Sequence, residues 1–493
     1  MITGGGPVTY AELAERIRRL AAGLDRLGVG RGDRVAWLGP NHGAFLEAIF
    51  AAGTLGAVLA PVNHRLAPNE RALVLDGVEP KVLIEHHAVQ PTRVPGSVRH
   101  RLVVGGSAGG GAIPYEAFVA GSPDQAFDAD VGLDDLLLLP HTSGTTGSPK
   151  GVMLTHGNVT WNVVNLLSCA DFRGDDVTIA IAPFFRVGGT GVNVLPVLFL
   201  GGTVVVPDDV SGDALLRLVE RHRVTIGFGN PDVLDALVRA ERWAAADLSS
   251  IRFILTGGAP VPERLIRNFH DRGVALVQGY GLSEAGPVVL LLDPARSLQK
   301  IGSAGRPPLL VDIRIVDPDG HDVGRGRTGE LLARGPNVMA GYWRRPTETG
   351  QVLGADGWLR TGDAARMDDE GDVWIVDRVD ARFMAGGRAV YPGDVERQLM
   401  THPAVADAGV TGVVIPEGDA VGAAFVVLLP GSSVAETELL EFARRRLAPH
   451  EVPSSITFLD RLPRNSVGKL LRDDLRVLAA EAGDEVPASG NAK

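Results

Sequence analysis

The chain has 493 residues, 45% of them hydrophobic, with 48 Lys plus Arg against 59 Asp plus Glu and a net charge of −11. That length exceeds one ordinary domain and predicts two or three, with apolar residues enough for sizeable cores. The acidic balance argues against a nucleic-acid partner, and the single cysteine, Cys169, excludes an internal disulfide and suits a reducing compartment.

The first residues, MITGGGPVTY, lack a basic stretch followed by an apolar one, so no secretory signal is expected. From Tyr10 to Leu27 apolar residues recur at helical spacing. Thr9 stands as N-cap with Glu12 three residues on, the pattern of a capping box. Asp33 to Leu38 reads as strand, Gly43 to Leu55 as helix and Gly56 to Pro61 as strand. The longest apolar run, Gly43 to Val62, contains Glu47, several glycines and a proline, and so reads as buried core rather than a membrane span. A soluble cytoplasmic protein is expected.

Residues 86–130, rich in Gly, Ser, Pro and Val, read as a loop-rich insertion. Asp135 to Pro140 (DLLLLP) reads as a short buried strand, and Asn158 to Leu167 as the start of a helix. Cys169, in LLSCAD, reads as a small core residue rather than a nucleophile. Strand-like stretches 201–207, 224–227 and 251–256 then alternate with helical stretches 214–221 and 233–242. That alternation predicts layered α/β architecture with largely parallel sheet. Near residue 378 the texture changes. Helix (Val395 to Met400), strand (Ala423 to Leu429), helix (Glu436 to Leu447) and strand (Ile456 to Leu459) compose a small α+β unit. The expected division is 1–379, 380–480 and a disordered tail over 481–493.

Four segments carry chemistry. HTSGTTGSPKGV, from His141 to Val152, is expected as a loop joining a strand to a helical region. Glycine-rich backbone there can turn its N–H groups inward around an anion, Ser143, Thr145 and Thr146 add hydroxyl donors, and Lys150 adds a positive charge. Phosphate is the expected guest, although no Gly-Lys-Ser/Thr triplet closes the loop as in a Walker motif. In QGYGLSEAG (278–286), Glu284 could hold Mg²⁺ on a polyphosphate. In TGD (361–363), Asp363 could accept the hydroxyls of a ribose. In LPRNSVGKL (462–470), Lys469 on its own reads as a solvated lysine.

Taken in this order, and with the Asp377-Arg378 pair, the four segments resemble the adenylate-forming superfamily of acyl- and aryl-CoA synthetases, peptide-synthetase adenylation domains and luciferase. The resemblance runs from about residue 8 to 475. GGAPVP (257–262), IGSAGRP (301–307) and GPNVMAGYW (335–343) make it similar in particular to bacterial fatty-acid and feruloyl-type CoA ligases. It implies an α/β protein: a large layered α/β N-terminal domain with a small mobile α+β C-terminal domain.

The implied reaction is ATP- and Mg²⁺-dependent adenylation of a small aromatic or medium-length carboxylic acid, with CoA as second substrate. By the resemblance, Thr142, Ser143, Gly144, Thr145, Thr146, Gly147 and Lys150 cradle the β- and γ-phosphates. Gly258, Ala259 and Pro260, with Gln278, Gly279, Tyr280 and Gly281, frame adenine, and Ser283 belongs to the same nucleotide-binding stretch. Glu284 holds Mg²⁺, Asp363 and Arg378 bind ribose, and Lys469 bridges the carboxylate and the α-phosphate. Lys469, Glu284 and Thr142 form the implied catalytic set. Trp161, Asn162, Phe184 to Gly191 (with Phe185, Arg186, Gly188 and Gly189), Gly229 and Gly281 to Gly286 wall the acid pocket, and Asp380 is the hinge. The chemistry agrees: a carboxylate attacking a phosphate is anion meeting anion, so cations and N–H donors must neutralise both.

Four departures stand out. The TYAEL helix lies close to the start of the chain, so the expectation is either that an upstream segment of the family is missing or that the start codon is late. PFFRVGG (183–189) has Arg186 where relatives carry His; its guanidinium could pair with a second anion or a polar substrate group, or within the pocket wall. DARFMAGGRAVYP (380–392) has Arg388 and Ala389 where relatives carry Glu and Asn. VVIPEGDAV (413–421) lacks the Trp and Gly-Glu pair of relatives. The last two fall on the face used for thioester formation, so a second expectation is a CoA-independent adenylating enzyme of natural-product pathways. Such an enzyme could be a diazotase activating nitrite for an aromatic amine, or an acid–amine or carrier-protein ligase. A third, a non-catalytic nucleotide-binding protein, is opposed by the presence of Lys469 and Glu284.

Overall fold

The computed structural model describes residues 1–106, 109–127, 130–142, 149–415, 420–464 and 470–483. The chain forms two compact units, Met1–Ile313 with Leu332–Arg360, and Arg314–Leu331 with Thr361–Lys493.

Among the described residues the first unit holds two large sheets. One runs in the order Val288–Leu291, Ala275–Gly281, Phe253–Thr256, Ile226–Gly229, Val177–Ile179, Thr203–Val205, Ile2–Thr3, Gly6–Pro7. Its interior pairings are parallel and both edges antiparallel. The other runs Gly341–Tyr342, Lys150–Thr155, Leu136–Leu138, Val58–Val62, Arg34–Leu38, Val82–His86, His100–Val104, Ile113–Pro114, with His141–Thr142 beside Lys150–Thr155. Strands such as Val58–Val62 and Phe253–Thr256 are buried at every position, as a parallel strand covered on both faces must be.

The first helix spans Tyr10–Arg26, and the Thr9/Glu12 capping box is formed. The apolar helix Gly43–Thr54 buries Glu47, which is held by Arg16 at 2.7 Å and by the Tyr115 hydroxyl at 2.7 Å. A charge inside an apolar run is tolerable because both partners reach it. No helix among the described residues is long and apolar enough to cross a membrane.

Two expectations are corrected here. Residues 86–130 are not simply loop: His100–Val104 pairs in parallel with Val82–His86, and Tyr115–Gly121 is a helix that supplies Tyr115 to Glu47. Short strands joined by glycine-rich turns hid this order. The glycine-rich segment after Pro140 also does not lead straight into a helix. Lys150–Thr155 is a strand antiparallel to Leu136–Leu138, and the helix begins only at His156, capped by Thr155 and Asn158. Cys169 is a free thiol whose pKa burial pushes up to about 12, as befits a packing residue.

Residues 314–331 and 361–378 belong to a four-stranded sheet in the order Asp312–Val316, Gly329–Arg334, Leu359–Met367, Val373–Arg378. Beyond it a hairpin, Phe383–Ala385 with Arg388–Val390, turns through Gly386 and Gly387, both at positive φ (57° and 71°), the backbone of a two-residue hairpin turn. A three-stranded sheet, Ala420–Leu428 between Val405–Val414 and Ser455–Phe458, has helices Pro392–Leu399, Glu436–Arg444 and Arg472–Gly483. The last helix includes residues 481–483, which were expected in the tail; residues 484–493 lie outside the described residues.

Candidate active site

His141–Thr142 and Lys150–Thr155 form the two arms of a hairpin, with Lys150 opposite Thr142 and Gly151 opposite His141. Ser143, Gly144, Thr145, Thr146 and Gly147 lie outside the described residues. Lys150 Nζ stands 5.1 Å from the centroid of the Tyr342 ring, and the Tyr342 hydroxyl donates to Glu284 Oε1 at 2.8 Å. Thr142, Lys150 and Glu284, far apart in sequence, are thus linked through two strand pairings and one tyrosine. Burial pushes the His141 imidazole down to about 4, so this ring is neutral near pH 7.

Glu284 sits on the single turn Ser283–Ala285 that follows strand Ala275–Gly281. The turn is fastened by the segment 335–343. Met339 N–H donates to the Glu284 carbonyl at 2.9 Å, and buried Asn337 donates to the carbonyls of Ala285 (2.6 Å) and Val288 (3.0 Å). Asn158 holds the same segment by its Pro336 and Val338 carbonyls. A side chain at Gly281 would meet the Pro287 carbonyl at 1.7 Å, so the backbone packs as it does only with glycine there.

Thr256 pairs with Gln278, and the next residues, Gly257 and Gly279, pack back to back; a Cβ at Gly257 would stand 2.6 Å from the Gly279 carbonyl. Gly258, Ala259 and Pro260 are exposed, and Tyr280 is half-buried. Gln278 accepts from Gly302 N–H at 2.8 Å, so its side chain braces the strand end rather than projecting free.

Among the expected pocket residues, Trp161 is half-buried and Asn162 fully so. Asn162 donates to the Gly191 carbonyl at 2.8 Å and accepts from Val288 N–H at 3.1 Å, bridging the short helix Val187–Gly191 to the strand beyond Glu284. Gly189 closes on the Pro183 carbonyl, 2.0 Å from where a Cβ would be; Gly188 faces Phe228; Gly229 packs on Leu234. Phe185 is buried with the His64 ring at 5.5 Å and the Arg65 guanidinium at 5.7 Å. Arg186 is exposed and makes no ion pair among the described residues. Desolvation by the surrounding wall, and then the charge of Arg65, holds its pKa below the usual guanidinium value.

In the second unit Asp363 and Arg378 are register partners on adjacent strands, and Arg378 Nη1 donates to Asp363 Oδ1 at 3.0 Å and to the Thr361 carbonyl at 2.9 Å. The Thr361 hydroxyl donates to the Leu331 carbonyl and accepts from Asp363 N–H, which fixes the turn. Gly362 has φ 70°, and a Cβ there would lie 2.6 Å from Arg378 Nη2. Asp380 is exposed, with an oxygen 3.6 Å from Arg378 Nε. Lys469 lies outside the described residues.

In the sequence Asn337 and Tyr342 stood only within GPNVMAGYW, without a role, and a basic pocket was not disclosed. The pocket, about 520 Å³, is lined by His64, Arg65, Arg71, Gln90 and apolar residues, with no acid. Arg71 is only 2% exposed, and among the described residues it has no carboxylate partner. Its Nη1 reaches the His64 carbonyl at 3.4 Å, while Arg71 Nε and His64 Nδ1 are buried without a partner. An arginine on the inner face of helix Pro68–Val78 was the available signal.

Residues 1–343 match the model of the AMP-binding enzyme family, and residues 394–469 match that of the AMP-binding enzyme C-terminal domain. The chain is 45% identical over 474 residues to a feruloyl-CoA synthase from an Amycolatopsis species, covering 96% of this chain and 94% of the relative. It superposes on an anthranilate CoA ligase in complex with anthranoyl-AMP with a TM-score of 0.88 at 25% identity, covering 98% of this chain and 94% of that one. It superposes on an amide bond synthetase from Marinactinospora thermotolerans with a TM-score of 0.86 at 28% identity, covering 97% and 96%. With both family models matched in chain order and the Lys150–Tyr342–Glu284 arrangement in place, the chain belongs to the AMP-binding family of ATP-dependent adenylate-forming enzymes.

Proposed function

We propose that this protein is an acid–CoA ligase acting on an aromatic carboxylic acid. The observation that carries the reading is the convergence of Lys150 and Thr142 on Glu284 through Tyr342, within a chain 45% identical to a feruloyl-CoA synthase. In the first half-reaction the carboxylate attacks the α-phosphorus of ATP, giving the acyl-adenylate and pyrophosphate. In the second the CoA thiol displaces AMP, and its proton leaves to solvent.

Lys150 and the hydroxyl-rich loop that begins at Thr142 neutralise the departing pyrophosphate. Glu284, a carboxylate oxygen donor oriented by the Tyr342 hydroxyl, would hold Mg²⁺. Mg²⁺ there would draw negative charge off the β- and γ-phosphates. Asp363, already paired with Arg378, accepts the ribose hydroxyls, and Gly258 to Pro260 with Tyr280 flank adenine. Lys469 balances the charge of carboxylate and α-phosphate, on a small domain that hinges at Asp380 from a body of residues 1–379.

Arg65, Arg71 and His64 are proposed to hold the phosphates of CoA. A buried guanidinium without a carboxylate is costly unless an anion answers it, and CoA brings several. Arg186, next to Phe185 and without an ion pair among the described residues, selects acids with a polar or anionic substituent. The free, deeply titrating thiol of Cys169 fits a reducing cytoplasm.

Mass spectrometry after incubation with ATP, Mg²⁺ and a panel of aromatic acids, each with and without CoA, tests the reading. A CoA thioester is expected. AMP release indifferent to CoA, with an amide from a supplied amine or a diazo product from nitrite and an aminoarene, would replace CoA as acceptor. Arg388 and Ala389, and the likeness to an amide bond synthetase, favour that second reading.

A further inference from the structure

The basic pocket and the wall assigned to the acid meet at one side chain. Phe185, 6% exposed, has the His64 ring edge-on at 5.5 Å and the Arg65 guanidinium 5.7 Å from its centroid. His64 and Arg65 both line the basic pocket. The residue after Phe185 is Arg186, which precedes the short helix Val187–Gly191.

The junction is stiff. Pro40 lines the basic pocket, and its neighbour Asn41 donates to the carbonyls of Ala180 and Ala182, each at 2.9 Å, and accepts from Phe184 N–H at 2.8 Å. Phe184 packs on the Phe45 ring at 5.1 Å, and Phe45 meets Trp37 at 5.5 Å. Arg186 N–H donates to the Pro183 carbonyl at 3.1 Å, and Gly189 N–H to the Arg186 carbonyl at 2.9 Å. With the backbone held on both sides, charge rather than movement passes between the two pockets.

Arg65 supplies that charge. It is exposed and, like Arg186, makes no ion pair among the described residues, while its backbone N–H is fixed by Asn63 Oδ1 at 3.0 Å. Desolvation is the main cause that lowers the pKa values of Arg186 and His64, and in both the charge of Arg65 comes next. An anion that settles between Arg65 and Arg186 is attracted by both, and an anion that takes Arg65 first leaves only one.

We propose that Arg65 is a specificity-determining residue for the acid as well as a phosphate ligand: with Arg186 it favours aromatic acids that carry a second anionic group, and a CoA phosphate in the basic pocket removes that preference. Acids without a second charge are indifferent to the phosphate. Because the coupling is between two binding events, such an acid weakens phosphate binding by the same factor. The inference rests on the proposed roles of the basic pocket toward CoA and of Arg186 toward the acid.

The full chain is assayed by pyrophosphate exchange with saturating ATP and the aromatic acid that it activates best. Terephthalate and 4-nitrobenzoate, alike in shape and different by one charge, compete for the acid pocket. 3′,5′-Adenosine bisphosphate, which carries the 3′-phosphate of CoA without its thiol, is the probe of the basic pocket. Terephthalate is expected to compete better than 4-nitrobenzoate. The bisphosphate should raise the competition constant of terephthalate about 5-fold, the low end for coupled sites because both guanidinium groups are exposed to screening, and that of 4-nitrobenzoate less than about two-fold. Arg65→Gln should narrow the gap between the two acids and make it indifferent to the bisphosphate. An unchanged gap in Arg65→Gln, or a bisphosphate effect equal on both acids, would overturn the inference.

Two further variants separate the failures. If Arg186→Gln leaves the gap as it was, the reading of Arg186 fails. If Arg71→Met, with ATP saturating, binds the bisphosphate in a calorimeter as tightly as the parent chain, the CoA reading of the pocket fails. Either result takes the role of Arg65 with it. If both variants lose their ligand and Arg65→Gln keeps the gap, only the role of Arg65 falls.

Discussion

The Tyr342 hydroxyl lies 2.8 Å from Glu284 Oε1 while the face of the same ring lies 5.1 Å from Lys150 Nζ, so one side chain orients both the expected metal ligand and the expected phosphate ligand. The two contacts can be separated chemically. Tyr342→Phe keeps the ring under Lys150 and removes only the donor to Glu284. A hydrogen bond to a charged acceptor is worth about 1.5–3 kcal/mol, so turnover at limiting Mg²⁺–ATP should fall about 10-fold or more. The Mg²⁺ concentration for half-maximal pyrophosphate release should rise with it. An unchanged Mg²⁺ dependence would remove Tyr342 from the metal's surroundings.

Gly362 offers a test of the ribose pair. At φ 70° an added methyl strains the backbone by about 1 kcal/mol and also presses on Arg378 Nη2, 2.6 Å away. Gly362→Ala should therefore raise KM for ATP, with the acid's own binding little changed. Titration with adenosine and with 2′-deoxyadenosine checks the mechanism, because a loss confined to the ribose hydroxyls narrows the gap between them. An unaltered gap would place the ribose elsewhere.

Local signals in the sequence were strong where a residue acts on its near neighbours. Thr9 and Glu12 announced a helix start, and the capping box is formed. Asp363 and Arg378 were each nameable, although their pairing across two strands is a register fact that no spacing discloses. The strand Lys150–Thr155 was lost because glycine at 151 masks the alternation and the preceding loop dominates the composition. The roles of Tyr342 and Asn337, both inside GPNVMAGYW, stayed hidden for a different reason. They act across 58 and 52 residues of chain, on a turn whose own sequence says nothing of them. Arg71 was legible only as a charge on an inward helix face, since its meaning depends on the acid that is missing around it among the described residues.

That missing acid gives the third prediction. Arg71→Met fills the same space without a charge, so stability should hold or rise, as it does when an uncompensated buried ion is replaced by a well-packed apolar side chain. Adenylation should be unaffected, and KM for CoA should rise about 10-fold, the loss of roughly one charge-assisted contact. Comparing CoA with 3′-dephospho-CoA identifies the phosphate concerned. Equal KM values for CoA in the variant and the parent chain would leave the pocket to another anion.

His141 and His86 set an acid limit. Burial is the largest cause in both and carries each imidazole down to about 4; for His86 the neighbouring His87, His42 and His64 add to it. In the unfolded chain these rings protonate near 6.5. Between pH 6.5 and about 4 the unfolded state therefore binds protons that the folded state refuses, and stability falls as the pH falls, levelling below about 4 when the folded rings protonate too. Carboxylates contribute to acid unfolding in the same range, so the comparison must be differential. His141→Gln removes one of the two refusals. Its Tm deficit relative to the parent chain should shrink steadily from pH 7.5 to pH 4.5, because the parent loses proton-linked stability that the variant never had. A deficit constant across that window would mean that His141 titrates alike in both states, and that the arm of the hairpin beside Lys150 is open to water.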